Sequence, residues 1–401
     1  MYKAVFYIIC IFIVFENTSL SRYGGVFTAP LAITLLPLVV LLWIIKIKRI
    51  TALEKRLLLF FFLSFLMSLF FIFVYYNHEA FGFLVDRGWR FFILASASLV
   101  FLLYFLLFDY NTLWNGVLLS SVVIVFVLFL NLVAPDFFNS TSFIQGTQAL
   151  SPHRMRGATL EASTFGFQVG VAGIVLSRYF AVPKLLMFSL LSFLILLTTS
   201  KGGLITFSLA FFISLLSSNV INRRCKALLV SLSIFVIPFI FITFVLPALQ
   251  SDIDKYSSVA TRMTMIFMSI YTLFTAPLGV GYFGYLPSIY MNGESVVGFI
   301  DSLYPGVFNF SEVKSYFIFG AVKGVSTKSF VFDWMMYFGV PFCFLFCRVL
   351  LWYVRRLKKG DFHFLCLFWF VVLSITFYLP IDQRFIVPLV FAMLYKFSVK
   401  S

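Results

Sequence analysis

Unbroken apolar runs, each close to the length that lipid requires, recur from one end of this chain to the other. A helix needs about 20 mostly apolar residues to cross a bilayer's hydrocarbon, whereas barrel strands alternate apolar and polar residues over about ten. The runs here do not alternate, so the chain is read as all-α. Spans are expected at roughly 4–16, 26–46, 57–76, 91–109, 115–135, 161–180, 185–200, 202–220, 227–247, 329–353, 362–380 and 384–398, about twelve in all. Composition leads the same way: 62% of the residues are hydrophobic and only 11% charged. A soluble domain needs about 25% charged residues to cover itself in water. Soluble and disordered classes are therefore excluded, and the chain is expected to be a polytopic membrane protein with one membrane domain over 1–401.

Lysine and arginine number 30 against 15 acids, a net charge of +15. In a membrane chain, basic residues set orientation by staying on the cytoplasmic side. Lys46, Lys48, Arg49, Lys55 and Arg56, then Arg178 and Lys184, then Arg223, Arg224 and Lys226, then Arg355, Arg356, Lys358 and Lys359 fall in alternate loops. Lys3, Lys396 and Lys400 join them, so both termini are expected in the cytoplasm, with the first run an uncleaved signal anchor. No basic-aromatic platform is present for single-stranded nucleic acid, and no nucleic-acid partner is expected. The external side then carries the long connections 77–90, 136–160 and 248–328. The last is expected to hold short helices, with an interfacial one over 262–275. The five cysteines sit in spans or a cytoplasmic loop, so no stabilising disulfide is expected.

The external face holds the candidate chemistry. His153-Arg154-Met155-Arg156-Gly157 precedes Glu161 and the span that follows. Arginines are unexpected on this side, and their planar fork suits phosphate. Thr198-Thr199-Ser200-Lys201-Gly202-Gly203 is a tight turn that leaves Lys201 at membrane depth, where charge is costly. Arg262 opens the interfacial stretch before Pro277-Leu278-Gly279-Val280-Gly281-Tyr282-Phe283-Gly284, and Arg384 follows Asp382 at the external end of the last span. Plainer structural roles exist for each: headgroup-binding arginines, a helix-cap glutamate, a snorkelling lysine, turn glycines, an Arg384–Asp382 pair. Asp252-Ile253-Asp254 is a metal–sugar-nucleotide pattern on the wrong side for nucleotide sugars. With only His78, His153 and His363, scattered, no histidine metal site and no cofactor are expected. The cations together suit an anionic, phosphate-bearing substrate carried by lipid.

R-x-R-G-x-x-x-E-x-S, then T-x-S-K-G-G between two helices, then R before P-L-G-x-G-x-x-G, then Phe332-Asp333-Trp334 with Gly339, resemble in order and spacing the O-antigen polymerase and ligase superfamily. The motifs cover about 155–340. That resemblance implies a GT-C-like inner-membrane glycosyltransferase working at the periplasmic face on undecaprenyl-pyrophosphate-linked O-units, with a chain-length regulator as a further partner. The ligase carries a histidine in the long loop; 248–328 has none, which favours the polymerase (Wzy type). The family's arginine after the Thr-x-Ser pair is here Lys201. On this resemblance Arg156, Lys201 and Arg262 bind pyrophosphate, with Arg154 auxiliary and Glu161 as base. His153, Gly279, Gly281 and Arg384 line the substrate site. A flippase is the rival, but it should have deep charges and short loops on both faces.

Overall fold

A computed structural model describes residues 2–47, 50–149, 152–218, 258–318, 320, 325–358, 360–380 and 384–400. Among these residues the regular structure is all helical. The helices are α1 (Tyr2–Phe12), α2 (Ser21–Gly24), α3 (Leu36–Lys46), α4 (Ala52–Val74), α5 (Phe81–Phe105), α6 (Tyr110–Val133) and α7 (Pro135–Asn139). After them come α8 (Ala162–Tyr179), α9 (Lys184–Leu197), α10 (Lys201–Ser217), α11 (Ser258–Thr275) and α12 (Gly281–Leu303). The last are α13 (Ser311–Lys314), α14 (Phe330–Leu357), α15 (Phe362–Phe377) and α16 (Ile386–Lys400). Of the described helices, α4, α5, α6 and α14 are long and apolar enough to cross a membrane by length and composition. Apolar side chains such as Phe62, Leu66, Phe70 and Phe73 stand exposed along α4, as lipid-facing residues do.

The chain forms two compact units. The first comprises Met1–Leu59, Ile93–Ser218 and Leu350–Ser401; the second comprises Phe60–Phe92 and Asn219–Val349.

In the first unit α8 is the central helix. It packs against α6, α9, α10 and α15, and nearly every residue from Ala162 to Val175 is buried. Small residues permit this: a Cβ added at Gly170 would meet the Phe370 ring, and one at Gly173 the Leu191 side chain. Phe167 and Phe207 pack on Phe370 with ring centroids 5.7 and 6.0 Å away. The direction of α8 relative to α15 follows from its far end. There Arg178, in the last turn of α8, pairs with Asp361, the N-cap of α15. The start of α8 and the end of α15 therefore share the opposite end of the bundle.

The second unit contains α11, packed on α12, and an aromatic cluster around Trp334 of α14. Phe61, Phe330, Phe338 and Phe342 lie within 5.2–5.7 Å of the Trp334 ring centroid. Here α14 breaks at Gly339 (φ 54, ψ −138), and the chain from Pro277 to Val280 fits into the break. Val280 N–H donates to the Met336 carbonyl (2.9 Å), and Val340 N–H donates to the Pro277 carbonyl (2.8 Å).

Three expectations change. The first helix ends at Phe12 and the next long one starts only at Leu36, because Glu16 to Ser19, Gly24-Gly25 and Pro30 favour turns over helix. Among the described residues of 248–328, one helix is short as expected, α13 with 4 residues, but two are long: α11 has 18 residues and α12 has 23. Gly281 and Gly284 read as turn residues, yet they lie on buried helix. The span expected at 227–247 and the Asp252-Ile253-Asp254 pattern lie outside the described residues.

Candidate anion site at a helix end

The connection 136–160 is held by buried amides. Asn131 Oδ1 accepts from Gly157 N–H at 2.9 Å. Gln145 Nε2 donates to the Gly157 carbonyl and, at 3.2 Å, to the Thr159 carbonyl. Asn17 Nδ2 donates to Gln145 Oε1 (3.0 Å) and Thr147 Oγ1 (3.0 Å). Arg156 completes this framework. It is 4% exposed, and it donates from Nε to the Phe138 carbonyl (2.9 Å) and from Nη2 to the Asn139 (3.4 Å) and Thr147 (2.6 Å) carbonyls. Burial holds its pKa below the ordinary value, yet a guanidinium starts so high that it remains a cation. Arg156, expected on pyrophosphate, is thus committed to its own loop.

Arg154 does reach outward. Its Nε donates to Thr199 Oγ1 (3.0 Å) and its Nη2 to the Thr199 carbonyl (3.3 Å). This joins the arginine pair to the Thr-Thr-Ser-Lys turn, two motifs far apart in sequence. The turn itself rests on α8, since a Cβ at Gly166 would come within 2.7 Å of Thr198 Oγ1 and 2.8 Å of Ser200 Oγ. Ser200 caps α10 by accepting from Gly203 N–H at 3.2 Å, and Lys201, exposed, is the first residue of that helix. Tyr378, just past α15, packs its ring on Gly202. Replacing Gly166 with alanine should therefore push the turn away from α8. The expected loss is about 1–3 kcal/mol of stability, readable as a lower melting temperature in detergent.

Glu161 is exposed at the N-cap of α8, where its carbonyl accepts from Thr164 N–H (3.1 Å) and Phe165 N–H (3.2 Å). Its carboxylate accepts from Ser163 Oγ at 3.2 Å. Behind it lies Arg384 with a partner that sequence reasoning missed, Glu16. Arg384 is buried, donates from Nη2 to Thr164 Oγ1 (2.9 Å), and lies with Nε 3.5 Å from Glu16 Oε2. Gln168 Nε2 donates to Glu16 Oε1 at 3.0 Å. Glu16 lies in the non-helical segment after α1. The sequence offers half of the signal: Glu16 is a lone acid beside an apolar run, where acids are paired, but nothing in the sequence names its partner. Arg384 was expected in the substrate site or on Asp382. It is on Glu16, and Asp382 lies outside the described residues.

His153 is exposed nearby in sequence. Arg262 is half-buried on α11 in the second unit, as are Gly279 and Gly281 near the start of α12. Both glycines are closed in by neighbouring chain. A Cβ at Gly279 (φ 86) would meet Phe338 N at 2.5 Å, and one at Gly281 (φ 64) would meet Ser68 Cα at 2.7 Å. They are small because α14 and α4 press on them.

Two helix N-termini, α8 and α10, thus open at one end of one unit, with Arg154 and Lys201 beside them and a carboxylate, Glu161, at the mouth. Helix N-termini present partial positive charge and free N–H groups, which suit an anion. These features define an all-helical membrane protein with a cationic helix-end site. The chain belongs to the family of an uncharacterised 49.5 kDa protein in the cps region of Klebsiella pneumoniae. It is 35% identical to that protein over 403 residues, an alignment covering 97% of this chain and 90% of the relative. No known family profile and no solved structure matches the chain.

Proposed function

We propose that this protein is an O-antigen polymerase of the Wzy type, a glycosyltransferase that joins undecaprenyl-pyrophosphate-linked repeat units at the external face of the bacterial inner membrane. The observation that carries the reading is the Arg154–Thr199 contact, which gathers the R-x-R-G and T-x-S-K-G-G motifs, together with Glu161, at one helix end. The relative's cps region supports a polysaccharide-building context. The finer topology belongs to the same proposal: about twelve spans, a GT-C-like arrangement and cytoplasmic termini. A chain-length regulator is the expected protein partner.

In this reading Arg154, Lys201 and the α10 N-terminus hold the pyrophosphate. Glu161 takes the proton from the acceptor sugar's hydroxyl. The hydroxyl oxygen attacks C1 of the growing chain's reducing-end sugar, the C1–O bond to pyrophosphate breaks, and undecaprenyl pyrophosphate leaves with the electron pair. Fixed cations lower this barrier by stabilising charge that develops on the leaving group. Arg156 acts on the loop that carries Arg154.

The test is surface polysaccharide from a strain lacking the gene. The expected product is a single repeat unit, with the ladder restored by the wild-type gene. Lys201→Ala and Arg154→Ala should each lower long-chain yield by about 100- to 1,000-fold, the loss typical of one charge-stabilising donor. Lys201→Arg should retain most activity. Complete absence of repeat units in the deletion strain would oppose polymerisation and favour ligation or lipid-linked sugar transport.

A further inference from the structure

Glu161 lies between two residues, Ala158 and Thr164, that are each tied to one member of a buried ion pair. On one side Glu16 N–H donates to the Ala158 carbonyl at 3.0 Å. On the other, Arg384 Nη2 donates to Thr164 Oγ1 at 2.9 Å. The pair closes behind them, with Arg384 Nε 3.5 Å from Glu16 Oε2 and side chains 8% and 3% exposed. Gln168, one turn further along α8, locks Glu16 in turn by donating from Nε2 to Glu16 Oε1 (3.0 Å) and to the Val14 carbonyl (3.3 Å). Three separate stretches of chain meet here: the segment after α1, the entrance of α8 and the segment before α16.

An ion pair this deep is a poor way to gain stability. Desolvating both charges offsets most of their attraction, and well-packed apolar residues often do as well or better. What these groups provide in its place is fixed polar contacts to their surroundings: Arg384 Nη2 donates to Thr164 Oγ1 and Gln168 Nε2 donates to Glu16 Oε1, while Arg384 Nε and Glu16 Oε2 face each other at ion-pair distance. The geometry here directs both ends of a short segment whose middle residue is the exposed carboxylate.

We infer that Glu16 and Arg384 are positioning residues, whose ion pair clamps the entrance of α8 from both sides and so holds Glu161 at the anion site. The catalytic meaning of that clamp rests on the function proposed above. The clamp itself does not. Misplacing a reacting group by about 1 Å costs on the order of 100-fold in rate, so the clamp has a measurable consequence.

Two readouts separate the claims. The first uses the purified full-length protein in detergent, carrying Glu161→Cys, and follows its reaction with a polar maleimide. Adding Arg384→Met, or the milder Thr164→Val that removes only the hydrogen bond, should change the labelling rate severalfold. Arg384→Lys should restore it. A rate unmoved by both Arg384→Met and Thr164→Val overturns the clamp. The second readout is polysaccharide yield in the deletion strain, normalised to the amount of protein in the membrane. Arg384→Met should lower it on the order of 100-fold. Combined with Glu161→Gln it should fall no further than Glu161→Gln alone, because residues acting through one group are non-additive. Losses that multiply would show that Arg384 acts elsewhere. A wild-type protein that builds no polymer would sink the proposed function, and the labelling result would still decide the clamp.

Discussion

Gly339→Ala should leave almost no folded protein in the membrane. Gly339 sits at φ 54 and ψ −138, a region that side-chain-bearing residues avoid. A Cβ there would overlap the Pro277 carbonyl and stand 2.7 Å from Gly279 N. Both are backbone atoms fixed by the reciprocal hydrogen bonds between Val280 and Met336 and between Val340 and Pro277. No flexible side chain is available to yield. Backbone strain of about 1–3 kcal/mol adds to overpacking of about 1–3 kcal/mol. The sum, about 2–6 kcal/mol, is comparable to the whole stability of a marginal domain. Membrane abundance and detergent melting temperature read the effect. Gly298→Ala, where the added Cβ meets nothing within 4 Å, is the matched control and should be neutral.

Arg156→Ala should be nearly as damaging, and Arg156→Lys should not rescue it. Removing the guanidinium takes the donor from the Phe138 and Thr147 carbonyls, while the Asn139 carbonyl keeps only Ala149 N–H at 2.9 Å. Each acceptor stranded in a buried place costs about 1–3 kcal/mol. The loop that carries Arg154 toward Thr199 then loses its shape. A lysine restores the charge but cannot span these carbonyls, because its ammonium is one point on a flexible stem. The two roles for Arg156 diverge at this point. If it bound pyrophosphate chiefly by charge, lysine would recover much of the activity. As the organiser of its loop, it should lose polysaccharide yield on the order of 100-fold with either substitution. Limited proteolysis should also cut 136–160 faster in both variants.

Much of this was legible in the chain. Solid apolar runs predicted helices, and α4, α6, α8 and α14 fall close to the expected spans. The R-x-R-G and T-x-S-K-G-G motifs were identified separately, and the structure joins them through Arg154 and Thr199. Which of the two arginines faces out was not legible, because two residues apart the same side chain serves a loop interior or a surface. Gly279 and Gly281 illustrate a second blind spot. A glycine pressed by another helix and a glycine left open for a ligand look alike in sequence. Nor does hydropathy find Glu16, since its meaning depends on Arg384, at the far end of the chain. The same limit hid α12, whose glycines are turn formers in isolation and packing residues once Ser68 stands against Gly281, Phe71 against Gly284 and Phe317 against Gly293.

The most direct measurement is reconstitution. The purified protein in proteoliposomes is given undecaprenyl-pyrophosphate-linked repeat units, and both products are followed. A ladder of lengthened lipid-linked glycans, with one undecaprenyl pyrophosphate released per added unit and both signals lost in Lys201→Ala, is the result expected of a polymerase. Repeat units that cross the bilayer without lengthening, or lipid-linked units recovered unchanged, would contradict it.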